Sequence, residues 1–130
     1  MDSTAKRLRE VYANYAHGDF FTDADIWHED IELVFGDTFL ESGVHKGFDG
    51  LPEALGSWLA AWDRWEVQLE ELRRAPDGRI VALVTFRGFG RGSGTPVETS
   101  GAHIWTFGED GLCTRMEIHA TRAEADAILG

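Results

Sequence analysis

With 130 residues the chain has the length of one domain, enough to bury about two-thirds of the surface its unfolded form would expose. Twelve Lys and Arg stand against 23 Asp and Glu, and the formal charge of −11 excludes the basic footprint that nucleic acid or an anionic membrane surface would require. No apolar run approaches the roughly 18 residues of a membrane span and "MDSTAKRLRE" has no secretory apolar core, so a soluble, cytoplasmic protein is expected. Cys113 is alone; it excludes an internal disulfide and a thiolate zinc cluster and reads as a small buried hydrophobe.

The first predicted element is a helix capped by Asp2 or Ser3. Ala5, Leu8, Val11, Tyr12 and Tyr15 recur on one face, and Gly18 ends it. A short second helix is expected over "DFFTDADIWH", with Phe20, Phe21, Ala24 and Trp27 inward and Asp23 and Asp25 in solvent. "DIELVF" alternates as a strand, turning Ile31, Leu33 and Phe35 to one side, and the glycines and acids of "GDTFLESGVHKGFDG" read as loop. "LPEALGSWLAAWDRW" offers a third helix with Pro52 in its first turn and Leu55, Trp58, Leu59 and Trp62 on one stripe.

From there the pattern is β: "EVQLEELRRA", a Pro-Asp-Gly turn, "RIVALVTFRGFG", a glycine stretch, "ETSGAHIWTF", the turn "GEDG" and "LCTRMEIHA". Thr121 and Glu124 form a capping box that opens a terminal helix. Three helices followed by an antiparallel meander predict an α+β architecture in which a curved sheet wraps the helices.

The stretch "GFGRGSG" resembles a phosphate-cradling loop but has neither the Lys-Ser/Thr ending of one nor the spacing of a dinucleotide loop, and a strand follows it. It reads as a bulged hairpin that aims the next strand. On residues 98 to 107 one face holds Thr99, Gly101, His103, Trp105 and Phe107; the other holds Glu98, Ser100, Ala102, Ile104 and Thr106. On the last strand Leu112, Thr114, Met116, Ile118 and Ala120 oppose Cys113, Arg115, Glu117 and His119. The bulkier apolar sets should face the helices, which places His103 and Trp105 inside beside Met116 and Ile118. The other face, with Ala102 and Ile104 among Arg115, Glu117 and His119, suits a second subunit.

In order and spacing, "YANYAHGDF", "WHEDIEL", "VHKGFDGL", "GRGSG", "AHIWTFGEDGL" and "RMEIHATRAEADAILG" resemble the SnoaL-like polyketide cyclase and ketosteroid isomerase-like branch of the nuclear transport factor 2-like superfamily, across essentially the whole chain. The resemblance implies a cone: a bent sheet whose concave side, closed by helices, holds an apolar pocket, and whose convex side commonly pairs two copies. Ketosteroid isomerases place a Tyr, a carboxylate base and an acid donor where this chain has Val11, Phe35 and His103, so two of those three groups are absent. SnoaL-type cyclases use an acid in the last strands, where Glu117 is the nearby carboxylate. Limonene epoxide hydrolase-like members need an Asp-Arg-Asp set, of which Arg87 could supply the Arg.

His103 is the candidate acid or base, because an imidazole titrates near neutrality and burial favours its neutral form. Arg87 would polarise a carbonyl if Val81, Leu83 and Thr85 face inward; in the other register it faces water or a partner subunit. Tyr15, Trp27, Phe35, Trp58, Trp62, Trp105, Met116 and Ile118 are the expected pocket wall. His45 falls in a loop, His17 and His28 read as local or exposed groups, and His119 with Glu117 as a polar pair on the convex face. No metal or organic cofactor is expected, since no two histidines have ligand spacing on one face beside a carboxylate. The expected activity is proton transfer on a hydrophobic carbonyl-containing small molecule, of isomerase, cyclase or dehydratase type; a non-catalytic binder or a dimerising module are the alternatives.

Overall fold

A computed structural model of the chain describes residues 2–17, 26–35, 43–46, 62–90, 96–119 and 121–129. Helix α1 (Asp2–Tyr15) is followed by strands β1 (Trp27–Phe35), β2 (Gly43–Lys46), β3 (Trp62–Arg74), β4 (Ile80–Gly90), β5 (Pro96–Phe107) and β6 (Cys113–His119), and by helix α2 (Ala123–Leu129). The strands form one sheet in the order β2-β1-β6-β5-β4-β3. Every pairing is antiparallel except β1 with β6. This is the α+β curved-sheet architecture expected, with one helix before the sheet and one after it among the described residues.

The apolar stripe read from α1 is the buried one: Ala5, Leu8, Val11, Tyr12 and Tyr15 are all withdrawn from solvent. Leu8, Val11, Tyr12 and Tyr15 pack onto the concave side of the sheet with Ile31, Leu33, Trp65, Val67, Ala82, Val84, Phe86, Trp105, Met116 and Ile118. Two register shifts keep apolar groups on that side where strict alternation would lose them. Between Leu69 and Glu71 the β3–β4 ladder slips, which returns Leu72 to the core behind Trp65, Val67 and Leu69. Between Thr106 and Phe107 the β5–β6 ladder slips likewise, so Cys113 joins Met116 and Ile118 inside instead of sharing the outer face with Arg115.

Other expectations are corrected. The second helix was placed over residues 19–28, but Trp27 and His28 already belong to β1, and residues 19–25 lie outside the described residues. The third helix was placed over 51–65, but Trp62 and Trp65 belong to β3, and residues 51–61 lie outside the described residues. β2, read as loop, is a four-residue strand against β1, with His45 opposite Leu33. β4 and β5 pair from Ile80↔Trp105 to Phe89↔Pro96 without a register shift, and residues 91–95 of the expected bulged hairpin lie outside the described residues.

The two short turns are built on positive φ. Gly78 (φ 94°) closes Pro-Asp-Gly, its N–H donating to the Ala75 carbonyl at 2.9 Å, and Gly111 (φ 80°) closes the β5–β6 turn, its N–H donating to Gly108 at 3.0 Å.

The outer face carries a second apolar cluster. Val81, Ala102 and Ile104 are sealed beneath Ala125 of α2, with Leu83, Ile128 and Leu129 at the edge. The Ala102–Ile104 patch assigned from sequence to a second subunit is thus covered by the chain's own terminal helix. Arg122 fastens that helix by donating to the carbonyls of Gly101 (3.2 Å) and Val84 (3.1 Å) and to Glu70 (2.6 Å).

Candidate functional site

Strand β5 turns His103 and Trp105 to the concave side, as alternation from its outward Ala102 and Ile104 requires. α1 lies across them and brings Tyr12 to both. The Trp105 indole N–H donates to the Tyr12 hydroxyl at 2.8 Å, and that hydroxyl lies 2.6 Å from His103 Nδ1. His103 is only 2% exposed and is ringed by aromatic groups. Its ring centroid lies 5.6 Å from Tyr12 in a stacked arrangement, 5.5 Å from Phe86, 6.4 Å from Trp105 and 6.5 Å from Tyr15. Trp105 in turn stacks on Phe107 with centroids 6.3 Å apart.

The surroundings decide the charge. Burial, reinforced by the field of His119, pushes the His103 imidazolium down to about 3, so the ring is neutral at pH 7. That corrects the expectation of a histidine titrating near neutrality: in this setting it is a standing neutral hydrogen-bonding group. No carboxylate, lysine or arginine is buried among the described residues.

Arg87 is not part of this constellation. Ala82, Val84 and Phe86 occupy the concave side of β4 and Val81 and Leu83 the side covered by α2, so Arg87 faces outward. Its side chain is 47% exposed and its Nε donates to Glu98 at 2.9 Å, directly across the β4–β5 ladder. β4 is apolar on both faces, and that hid its orientation from the sequence.

Glu117 faces outward as well. It bonds His119 at 3.2 Å and lies 3.6 Å from Arg115 and 3.9 Å from Arg79. The His119 hydrogen bond, followed by the arginines, holds its carboxyl below the usual range.

Of the expected wall, Tyr15, Trp27, Trp105, Met116 and Ile118 are buried in one cluster with Tyr12. Trp58 lies outside the described residues, and Phe35 and Trp62 are placed only as strand positions, opposite Ile118 and Gly90. A hollow of about 250 Å³ opens at the edge of this cluster between Thr4, Arg7, Leu8, Ile26, Phe107 and Gly111. A second, of about 450 Å³, lies on the outside between Glu66, Arg87, Phe89 and Val97. Neither of these two is lined by His103. No group of three His, Cys, Asp or Glu among the described residues could hold a metal ion, and no described helix is long and apolar enough to cross a membrane.

Sequence reasoning missed Tyr12 as the hydrogen-bond partner of His103 and Trp105. It was legible only as one apolar position of a helical stripe, since nothing in the sequence ties it to a histidine 91 residues away.

The family model of the SnoaL-like domain matches residues 8–116. The chain belongs to the SnoaL-like family. No curated protein matches this SnoaL-like chain in sequence. Among solved structures, an NTF2-like protein of unknown function from Burkholderia pseudomallei superposes with a TM-score of 0.79 at 20% identity, over 99% of this chain and 98% of its own. TerC, co-crystallised with polyporic acid, gives 0.75 at 21% identity over 97% of each chain. The epoxide hydrolase/cyclase-like enzyme SalBIII, which acts in pyran ring formation in the polyether salinomycin, gives 0.72 at 14% identity over 91% of this chain and 90% of its own. At these identities the likeness shows that the SnoaL-like domain here has the same fold.

Proposed function

We propose that this SnoaL-like domain binds a hydrophobic, carbonyl-bearing small molecule on the concave side of its sheet and assists proton transfer on it, in chemistry of isomerase, cyclase or dehydratase type. The observation that carries the reading is His103: a neutral imidazole, enclosed by four aromatic rings and held by a hydroxyl, on the face that the fold directs inward. A neutral ring can hydrogen-bond a carbonyl oxygen and stabilise the negative charge that grows there as a neighbouring proton leaves. The aromatic surround excludes water and strengthens that interaction. The family, the cyclase-like neighbour and the neighbour co-crystallised with polyporic acid support a small organic ligand.

Non-catalytic binding of the same ligand class is the second reading. It is favoured by one observation: among the described residues no buried carboxylate or ammonium stands ready to take the proton. A thermal-shift screen of aromatic ketones and quinones, followed by turnover measurements on His103→Ala, separates the two. Binding retained with turnover abolished establishes catalysis through His103; turnover unchanged removes His103 from the mechanism; binding without turnover in the native protein establishes the binder.

The homodimer expected from the outer face belongs to the same proposal. With Ala102 and Ile104 covered, the exposed Phe89 and Val97 at the far end of β4 and β5 support it, and sedimentation velocity at micromolar concentration tests it.

A further inference from the structure

We propose that Tyr12 is a positioning residue: it holds His103 as the tautomer protonated on Nε2, so that the site offers a donor and selects ligands presenting an acceptor oxygen. The inference rests on the reading of His103 as the group that meets the ligand. Its basis is the direction of two hydrogen bonds. An indole N–H can only donate, so the 2.8 Å contact makes the Tyr12 oxygen an acceptor from Trp105. The 2.6 Å contact to His103 Nδ1 is shorter than the about 2.7–3.2 Å of an N–H···O bond and fits an O–H donor, so the one proton of the phenol is assigned to it. A nitrogen that accepts carries no proton, and burial keeps the ring from taking a second one, so the single imidazole proton resides on Nε2.

No described residue accepts from Nε2, although the side chain is almost wholly buried. A buried donor left without a partner is unfavourable, and native structures keep few of them. Here the missing partner is an acceptor: a carbonyl oxygen or the enolate oxygen that proton loss would generate. The relay from Trp105 through Tyr12 pushes electron density in one sense, each donation making the next donor keener, so the effect accumulates at Nε2–H. A ligand offering only a donor, or an ammonium group, would meet a proton instead of a lone pair.

Long-range proton–nitrogen correlation spectra of protein labelled with ¹⁵N-histidine, at neutral pH, test this directly; His103→Gln identifies the signal among the five histidines. In the native protein His103 should show a protonated Nε2 and a bare Nδ1. Tyr12→Phe should leave a mixture of tautomers, whereas Trp105→Phe, which keeps the phenol, should leave the single form. A protonated Nδ1 in the native protein, or no change in Tyr12→Phe, overturns the assignment, and the native spectrum decides even if a variant does not fold.

For selectivity the probes are 2-acetylnaphthalene and 2-isopropenylnaphthalene, alike in shape and differing in the acceptor oxygen. Native protein should prefer the ketone by about tenfold, the worth of one hydrogen bond, and Tyr12→Phe should lose most of that preference. Equal affinities in native protein overturn the selectivity. If the tautomer is as stated but His103→Gln binds and turns over like the native protein, the role of His103 fails while that of Tyr12 in fixing the ring stands.

Discussion

Among the described residues the two sides of the sheet hold one buried histidine each, 2% exposed for His103 and 8% for His119, and they use the same side chain in opposite ways. His103 is met by a phenol and aromatic rings, and among the described residues no carboxylate bonds it. His119 lies 3.2 Å from Glu117 and 3.8 Å from Glu124, in a network that runs on through Arg115 to Glu32. Burial alone therefore does not set what a histidine does; the polarity of what packs around it does. The concave side keeps its imidazole neutral and leaves Nε2 without a partner among the described residues. The convex side gives its imidazole a hydrogen bond to Glu117, with Glu124 of α2 3.8 Å from the other ring nitrogen.

That contrast can be broken most severely at Trp105. Trp105→Ala removes the largest fully buried side chain among the described residues and the donor to Tyr12, and should lower stability by about 3–5 kcal/mol, read by urea unfolding. Next is Gly101, where the sheet leaves no room for a side chain. An added Cβ would run into the Phe86 ring on one side and the His119 carbonyl oxygen on the other, and the second cannot swing away. Gly101→Ala should destabilise by about 2–3 kcal/mol and disturb both histidines at once.

A third test uses acid. The His103 value is lowered from 6.5 to about 3 on folding, so below pH 6.5 the unfolded chain takes up a proton that the native chain refuses. Stability is fully present above pH 6.5 and falls as pH drops toward 3, with a contribution to the slope of up to about 1.4 kcal/mol per pH unit. His103→Gln should flatten the curve in that window and leave the part due to Glu117; an unchanged curve would show that His103 is not buried neutral. The smallest effect is expected outside: Arg87→Ala should change stability by less than about 0.5 kcal/mol and leave ligand binding untouched, as an exposed arginine paired with an exposed glutamate predicts.

Much of this contrast was legible before any coordinates. The stripe on α1 and the inward facing of His103, Trp105, Met116 and Ile118 follow from periodicity, because in each case one face is clearly the more apolar. The sequence failed where that asymmetry fails. β4 carries apolar groups on both faces, so Arg87 could be read either way. β2 is four residues long and sits in a glycine- and acid-rich stretch, too short for a period to show. Cys113 changes faces at a register slip, which depends on the neighbouring strand as much as on its own.

The sequence by itself determined the kind of fold and the face on which an imidazole and an indole would meet, since these depend on patterns repeated along the chain, and its motifs carried the resemblance to the family. Only the tertiary structure decided that the imidazole is neutral, that a tyrosine from the first helix holds it, and that the terminal helix seals the opposite face. Those depend on contacts between residues far apart in the chain, whose energies are set by the medium that folding creates around them.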